Sequence, residues 1–304
     1  MRYKKATDVT EVYLENSALP THGKSYTVIS HKEVIDNTKR LLAISGFTIQ
    51  REIYRANMNA QVAQGIYHIY PTKSENDLIN NETELGMMFA WTNSYDKSTR
   101  FQCAIGAYVK VSQGGMISGD MLNFKRKHTG SAGTEMVMQV SNQIKNGEKH
   151  YLRILNDRDS LKNTILNKRQ QSELLGRLFV DEEIITSTQI TCAKKEMNKP
   201  SYNYNHDNDN AWAFYNHISH SLKISPPRDW MADSQNFHDF IMAETTSTPS
   251  LSTTSDIDFS NYNTTIDETF NVADVEDIIN ENNGTIEIDE EITTRILHHE
   301  LYTT

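Results

Sequence analysis

The sequence predicts an α+β fold: an antiparallel β-meander sheet preceded by a capped amphipathic helix and followed by a helical C-terminal half. Three observations carry this. Strand-like segments succeed one another through short, turn-rich connections, a helical apolar period sets in near residue 135, and the composition changes abruptly after Glu244. Consecutive strands with short connections favour antiparallel pairing, because parallel neighbours need a long crossover.

The first element in order is Ser25-Tyr26-Thr27-Val28-Ile29, read as a short β-branched strand. Ser30-His31-Lys32-Glu33 then has the form of a capping box, in which a hydroxyl and a carboxylate satisfy amides that the first helical turn leaves open. Val34, Ile35, Thr38, Leu41 and Leu42 follow at helical spacing, and Gly46 can supply the left-handed stop. Strands are expected over Phe47–Tyr54, Ala60–Tyr70, Leu85–Asn93 and Phe101–Ser112, with Gln113-Gly114-Gly115 as a turn or bulge after the last.

From Glu135 the apolar period is helical. Val137, Val140 and Ile144 form one face and Tyr151, Ile154 and Leu155 another, with Asn146-Gly147 as the break between them. Leu161, Ile165, Leu174, Leu175, Leu178 and Phe179 continue the pattern, and Ile184–Glu196 forms a further helix. Residues 200–210 read as a polar linker. Trp212, Phe214, Tyr215, Ile218 and Leu222 mark an aromatic-rich helix ended by Pro226-Pro227.

The chain accordingly divides into a domain over residues 1–244 and an acidic, mostly disordered tail over 245–304. Ile288, Ile292, Ile296 and Leu301 could form a short terminal helix in that tail. The tail holds thirteen acidic residues and one basic residue, so the net charge of −10 conceals a near-neutral domain. Within the domain, residues 97–179 carry fourteen Lys/Arg against six Asp/Glu. No apolar run approaches the ~20 residues of a membrane span. The first residues are polar where a secretory leader would be apolar, and Cys103 and Cys192 are far apart in sequence. A cytoplasmic protein without membrane partners, disulfide framework or Cys-rich zinc site is expected.

Four stretches, in order, resemble the phage/plasmid-like protein family, or domain of unknown function 932. They are Tyr26–Val34, Thr92-Asn93-Ser94-Tyr95-Asp96-Lys97-Ser98, Lys125-Arg126-Lys127-His128-Thr129-Gly130, and Ala211–Ser219. The second is similar to the family's Asn-Ser-His/Tyr-Asp-Gly/Lys-Ser turn, and the fourth to its Trp-x-x-Tyr-Asn helix. The resemblance spans about residues 20 to 240. Ser112-Gln113-Gly114-Gly115 departs from the family's Cys-Asn-Gly turn, so no role for that cysteine carries over. The resemblance implies a phage or plasmid context and no particular reaction.

The charge pattern points to nucleic acid. Lys125, Arg126, Lys127 and His128 form a compact cationic run, with Lys97, Arg100 and Lys110 on or beside the expected strands and Lys145, Lys149 and Arg153 on the helices that follow. Neutralising phosphates requires several such charges on one face, and stacking unpaired bases requires exposed rings, for which Tyr95, Tyr108 and Phe124 are the candidates. Single-stranded DNA in replication or recombination is the expected partner. The tail would compete for the basic surface or recruit a replication or host protein, and an oligomer is possible. The alternative is a non-enzymatic interaction module, such as an inhibitor of a host defence or regulatory protein, using the aromatic helix and tail.

No cofactor, metal site or catalytic residue is expected. His217 and His220, with His206, Asp207 and Asp209 upstream, lack the His-Glu-x-x-His pattern of zinc proteases. Asp157 with Asp159, and Asp181 with Glu182 and Glu183, are paired carboxylates near lysines, which a metal-dependent nuclease could use. Acidic pairs at helix starts more often serve the helix dipole. Neither a P-loop nor a Gly-x-Ser-x-Gly elbow occurs.

Overall fold

The 304-residue chain was analysed as a computed structural model, which describes residues 7–21, 28–74, 76–118, 122–123, 132–204 and 209–246. All of these fall in the first of two compact units, 1–254 and 255–304. In chain order the elements are β1 (Thr7–Val9), α1 (Glu11–Glu15), α2 (His31–Ile44), β2 (Phe47–Ala56), β3 (Val62–Pro71), α3 (Asp77–Asn80), β4 (Leu85–Ser94), β5 (Gln102–Val109), β6 (Gly115–Met116), β7 (Leu122–Asn123), α4 (Ala132–Lys145), α5 (Gly147–Asn163), α6 (Lys168–Val180), α7 (Ser187–Asn198), α8 (Ala211–Leu222) and α9 (Trp230–Thr246). The fold is α+β, with the helices concentrated in the C-terminal half.

The sheet runs in sequence order from β1 to β6, every neighbour antiparallel, with β7 also pairing β5. This is the expected meander. The outer edge of β5 is split between two short partners: Ala107 and Tyr108 pair with β6, and Gln102 and Cys103 with β7. Between them the Ile105 amide donates to Gln143 Oε1 of α4 at 3.1 Å, so a side chain replaces the missing strand.

Pairing sets two faces. Glu52, Tyr67, Phe89 and Ile105 lie opposite one another along one row and therefore share a face. There Lys39 of α2 reaches Glu52 at 2.7 Å, and a Cβ on Gly147 of α5 would come within 2.6 Å of Ile105. On the opposite face Met88, Ala90, Ala104 and Tyr108 form a core cluster with Ile117, Trp230 and Met231. The sheet is thus packed on both faces, which is why β4 is buried along its whole length and its sequence does not alternate. Close approach fixes the register further. Gly65 sits opposite Trp91, and a Cβ there would lie 2.3 Å from the indole nitrogen, which donates to Tyr67 Oη at 3.1 Å.

The capping box forms as expected: Ser30 Oγ accepts from the Glu33 amide, the Glu33 carboxylate accepts from the Ser30 amide, and Gly46 has φ +77° beyond the helix end. Several expectations are corrected. Residues 25–27 of the first expected strand lie outside the described residues, and Val28 and Ile29 belong to no strand. Ile165 continues no helix: it is 78% exposed and bridges to Asn210. The expected helix at Ile184 starts at Ser187, because Thr186 caps it with Gln189. α8 ends at Leu222, before the proline pair. β1, α1 and α9 were not expected from the sequence. Thr245 and Thr246, expected in the tail, belong to α9, and the rest of the tail, 247–304, with its expected disorder and terminal helix, lies outside the described residues.

Candidate nucleic-acid interface

One end of the sheet gathers the first two sequence motifs. The β4–β5 hairpin, the β2–β3 turn and the start of α2 meet there around His31, a fully buried residue. Its Nε2 lies 2.8 Å from the Ala60 carbonyl, which can only accept, so Nε2 carries the proton and Nδ1 is the acceptor. Asn93 Nδ2 then donates twice, to His31 Nδ1 at 3.1 Å and to the Ile29 carbonyl at 3.0 Å. Burial lowers the His31 pKa to about 4, against a smaller opposing effect of the Ala60 hydrogen bond, so the ring is neutral near pH 7. The Tyr95 ring stacks on it at 3.9 Å between centroids, and Tyr95 Oη accepts from the His31 amide at 2.7 Å.

This cluster holds the two connections rigidly. The β2–β3 turn contains Asn59 (φ 62°) and Ala60 (φ 49°), a left-handed pair costly for Ala and held by the bond from His31. In the β4–β5 hairpin, Ser94 Oγ donates to the Thr99 carbonyl and accepts from its amide, and Asp96 Oδ1 accepts from the Ser98 amide. Lys97 occupies the left-handed position at φ 62°, a conformation glycine adopts without strain and lysine at a cost. The outcome is a latched hairpin that presents Lys97 and Arg100 to solvent. Arg100 has no ion-pair partner among the described residues.

In the β5–β7 pairing Gln102 lies opposite Asn123, so β7 ends at the hairpin end of β5; in sequence Phe124 and Lys125-Arg126-Lys127-His128 follow. Those four residues and Phe124 lie outside the described residues. The remaining expected cations are elsewhere. Lys110 sits at the far end of β5, about 26 Å away at ~3.3 Å per residue, with its Nζ donating to the Glu82 carbonyl at 2.6 Å. Lys145 and Lys149 flank the α4–α5 junction, where Gly147 packs on Ile105 and Phe47, and Arg153 lies 4.0 Å from Asp157. Among the described residues, the expected cations therefore do not form one continuous patch.

The stacking assignments for Tyr95 and Tyr108 are corrected. Tyr95 is 3% exposed and committed to His31; Tyr108 is 8% exposed. The Tyr108 ring lies over Gly86, where a Cβ would be 2.4 Å away, and stacks on His68 at 3.6 Å. Neither ring offers a face to a base. Sequence reasoning also missed His31 and Asn93 as the residues that position the hairpin. The usable signal was a polar Thr92-Asn93-Ser94 run closing an otherwise apolar buried strand.

Several of the carboxylates and histidines weighed for metal chemistry have other partners, and His206 and Asp207 lie outside the described residues. Asp157 faces His238 at 3.1 Å, and Asp159 pairs with Arg158 at 2.7 Å. Glu196, 2% exposed, accepts from the Ser201 amide and hydroxyl and lies 3.8 Å from His220. His217 is buried beside Tyr204. Among the described residues no group of three His, Cys, Asp or Glu side chains could hold a metal ion, and no helix is long and apolar enough to cross a membrane.

A family model described as Domain of unknown function (DUF932) matches residues 18–231. No curated protein and no solved structure matches the chain.

Proposed function

The chain belongs to the DUF932 family, and we propose that it binds nucleic acid, single-stranded DNA in the first instance, through the hairpin end of its sheet. The observation that supports this most is the latched β4–β5 hairpin, which exposes Lys97 and Arg100 at the same end of β5 where Asn123 pairs with Gln102. Lys97 and Arg100, joined by Lys125, Arg126 and Lys127 two residues after β7 in sequence, would neutralise successive phosphates. With Tyr95 and Tyr108 committed to the interior, binding rests on backbone charge, and discrimination among bases is weak. Lys110, Lys145, Lys149 and Arg153 take a secondary part, by long-range attraction.

On this reading the protein is a non-enzymatic accessory factor for phage or plasmid replication or recombination, working in the cytoplasm, with the acidic tail competing for the basic surface or recruiting a partner protein. Fluorescence-anisotropy titration of a labelled oligothymidine at low salt tests the location. Lys97→Ala with Arg100→Ala weakens binding more than Lys110→Ala with Lys149→Ala. Equal losses would move the surface away from the hairpin, and no binding by the unmodified chain would favour an interaction module instead.

A further inference from the structure

We propose that the cleft beyond the C-terminal end of α2 binds a small organic cation, with an alkylguanidinium as the best fit. The cleft has a volume of about 370 Å³ and lies between Ser45 and Gly46 after α2, Phe47 at the start of β2, Pro71 and Thr72 at the end of β3, and Glu148 in the first turn of α5. It is at the opposite end of β2 from the β2–β3 turn, so the inference is independent of the nucleic-acid reading.

Two features give the cleft negative character, beside the exposed Lys73. Glu148 is half-buried, and its carboxylate has no hydrogen-bond or ion-pair partner among the described residues; burial alone pushes its pKa up. The last turn of α2 contains no basic residue, so the partial negative charge at that helix end is not offset from within the helix. An unsatisfied carboxylate in a cleft is costly to fold around and is relieved by a bound cation.

The shape selects among cations. A guanidinium is planar and can donate in a fork to the Glu148 carboxylate, whereas its alkyl stem finds apolar cover on Phe47 and Pro71. Lys73 also lines the cleft but is exposed, so a bound cation competes with one solvated ammonium. The guanidinium could belong to a free small molecule or to an arginine side chain of another protein. The recognition chemistry is the same.

The test is titration of the full chain with butylguanidinium, N-acetylarginine amide and, as an uncharged control, butanol, followed by the amide NMR shifts of Gly46, Phe47 and Thr72. Local amides separate this cleft from diffuse attraction to the acidic tail. Butylguanidinium is expected to shift them saturably in the millimolar range, as befits so small a ligand. Glu148→Gln weakens this roughly tenfold, the loss of a charge-assisted hydrogen bond, with the fold checked by the unchanged remainder of the spectrum. Lys73→Ala strengthens it. Affinity rises with pH across the carboxylate range in the unmodified chain and is flat in Glu148→Gln. Equal binding of N-acetylarginine amide points to a partner's side chain, and binding of butylguanidinium alone to a free small molecule. Shifts that never saturate, that persist in Glu148→Gln, or that butanol reproduces would overturn the site.

Discussion

His31 shows how one buried ring ties three chain segments together and makes stability depend on pH. Its folded pKa of about 4 lies below the unfolded value near 6.5, so the neutral ring contributes stability that is fully present above pH ~6.5 and is lost as pH falls toward 4. The shift corresponds to ~3 kcal/mol at 1.36 kcal/mol per unit. A proton on Nδ1 would face the amide hydrogens of Asn93, which gives the penalty a direct structural origin. Urea unfolding of His31→Gln at pH 7, 5 and 4 should show a shallower loss in acid than the unmodified chain. His68, also lowered to about 4, retains its part of the slope. Asp233 has the opposite sign. Burial, reinforced by Asp229 and opposed by the Ser225 hydroxyl bond, raises its pKa to about 6, so its contribution is present below pH ~3.8 and lost as pH rises through 6. Asp233→Asn should therefore stabilise the protein by ~2 kcal/mol above pH 7 and change little at pH 4, measured in the same unfolding series.

At the level of elements, what could be read from sequence was what local chemistry decides. Ser30 and Glu33 cap α2 through bonds within one turn, and Gly46 ends it; both were visible as a pattern of neighbouring residues. Ser30→Ala should cost ~1 kcal/mol in chemical denaturation. Elements decided by distant partners were not legible. β1 is three residues long and exists through pairing with Tyr54–Ala56, and α9 carries apolar residues around much of its circumference after a proline pair that reads as a stop. Glycines within strands are another such case. Gly65 looks like a weak point in a strand, but it makes room for the Trp91 indole. Gly65→Ala should destabilise by ~1–3 kcal/mol through overpacking and should alter tryptophan fluorescence as the indole moves off Tyr67.

For the whole molecule, sequence gave the separation of charge between basic middle and acidic tail, but it could not distribute the basic residues in space. Lys97 and Arg100 lie at one end of β5 and Lys110 at the other, a separation fixed by strand pairing. The same ignorance of burial made Tyr95 and Tyr108 candidates for stacking, because an aromatic residue in a strand reads alike whether it faces solvent or a buried histidine. Thr245 is buried, and Glu244 pairs with Arg177 at 2.5 Å, so α9 belongs to the fold through Thr246. Removing residues 247–304 should leave the melting transition nearly unchanged, and a large loss would mean that the tail packs on the domain.

The central claim is that phosphates bind at the hairpin end of the sheet, and the salt dependence of DNA binding tests it most directly. Labelled single-stranded DNA is titrated with residues 1–246 at several salt concentrations, beside the variant in which Lys125, Arg126 and Lys127 are all alanine. At ~0.7 per phosphate contact on a single strand, the slope of log affinity against log salt should fall by roughly 2 in the variant, with little dependence on base sequence. Binding with an unchanged slope would remove these residues from the contact, and no binding by residues 1–246 at low salt would contradict the nucleic-acid reading itself.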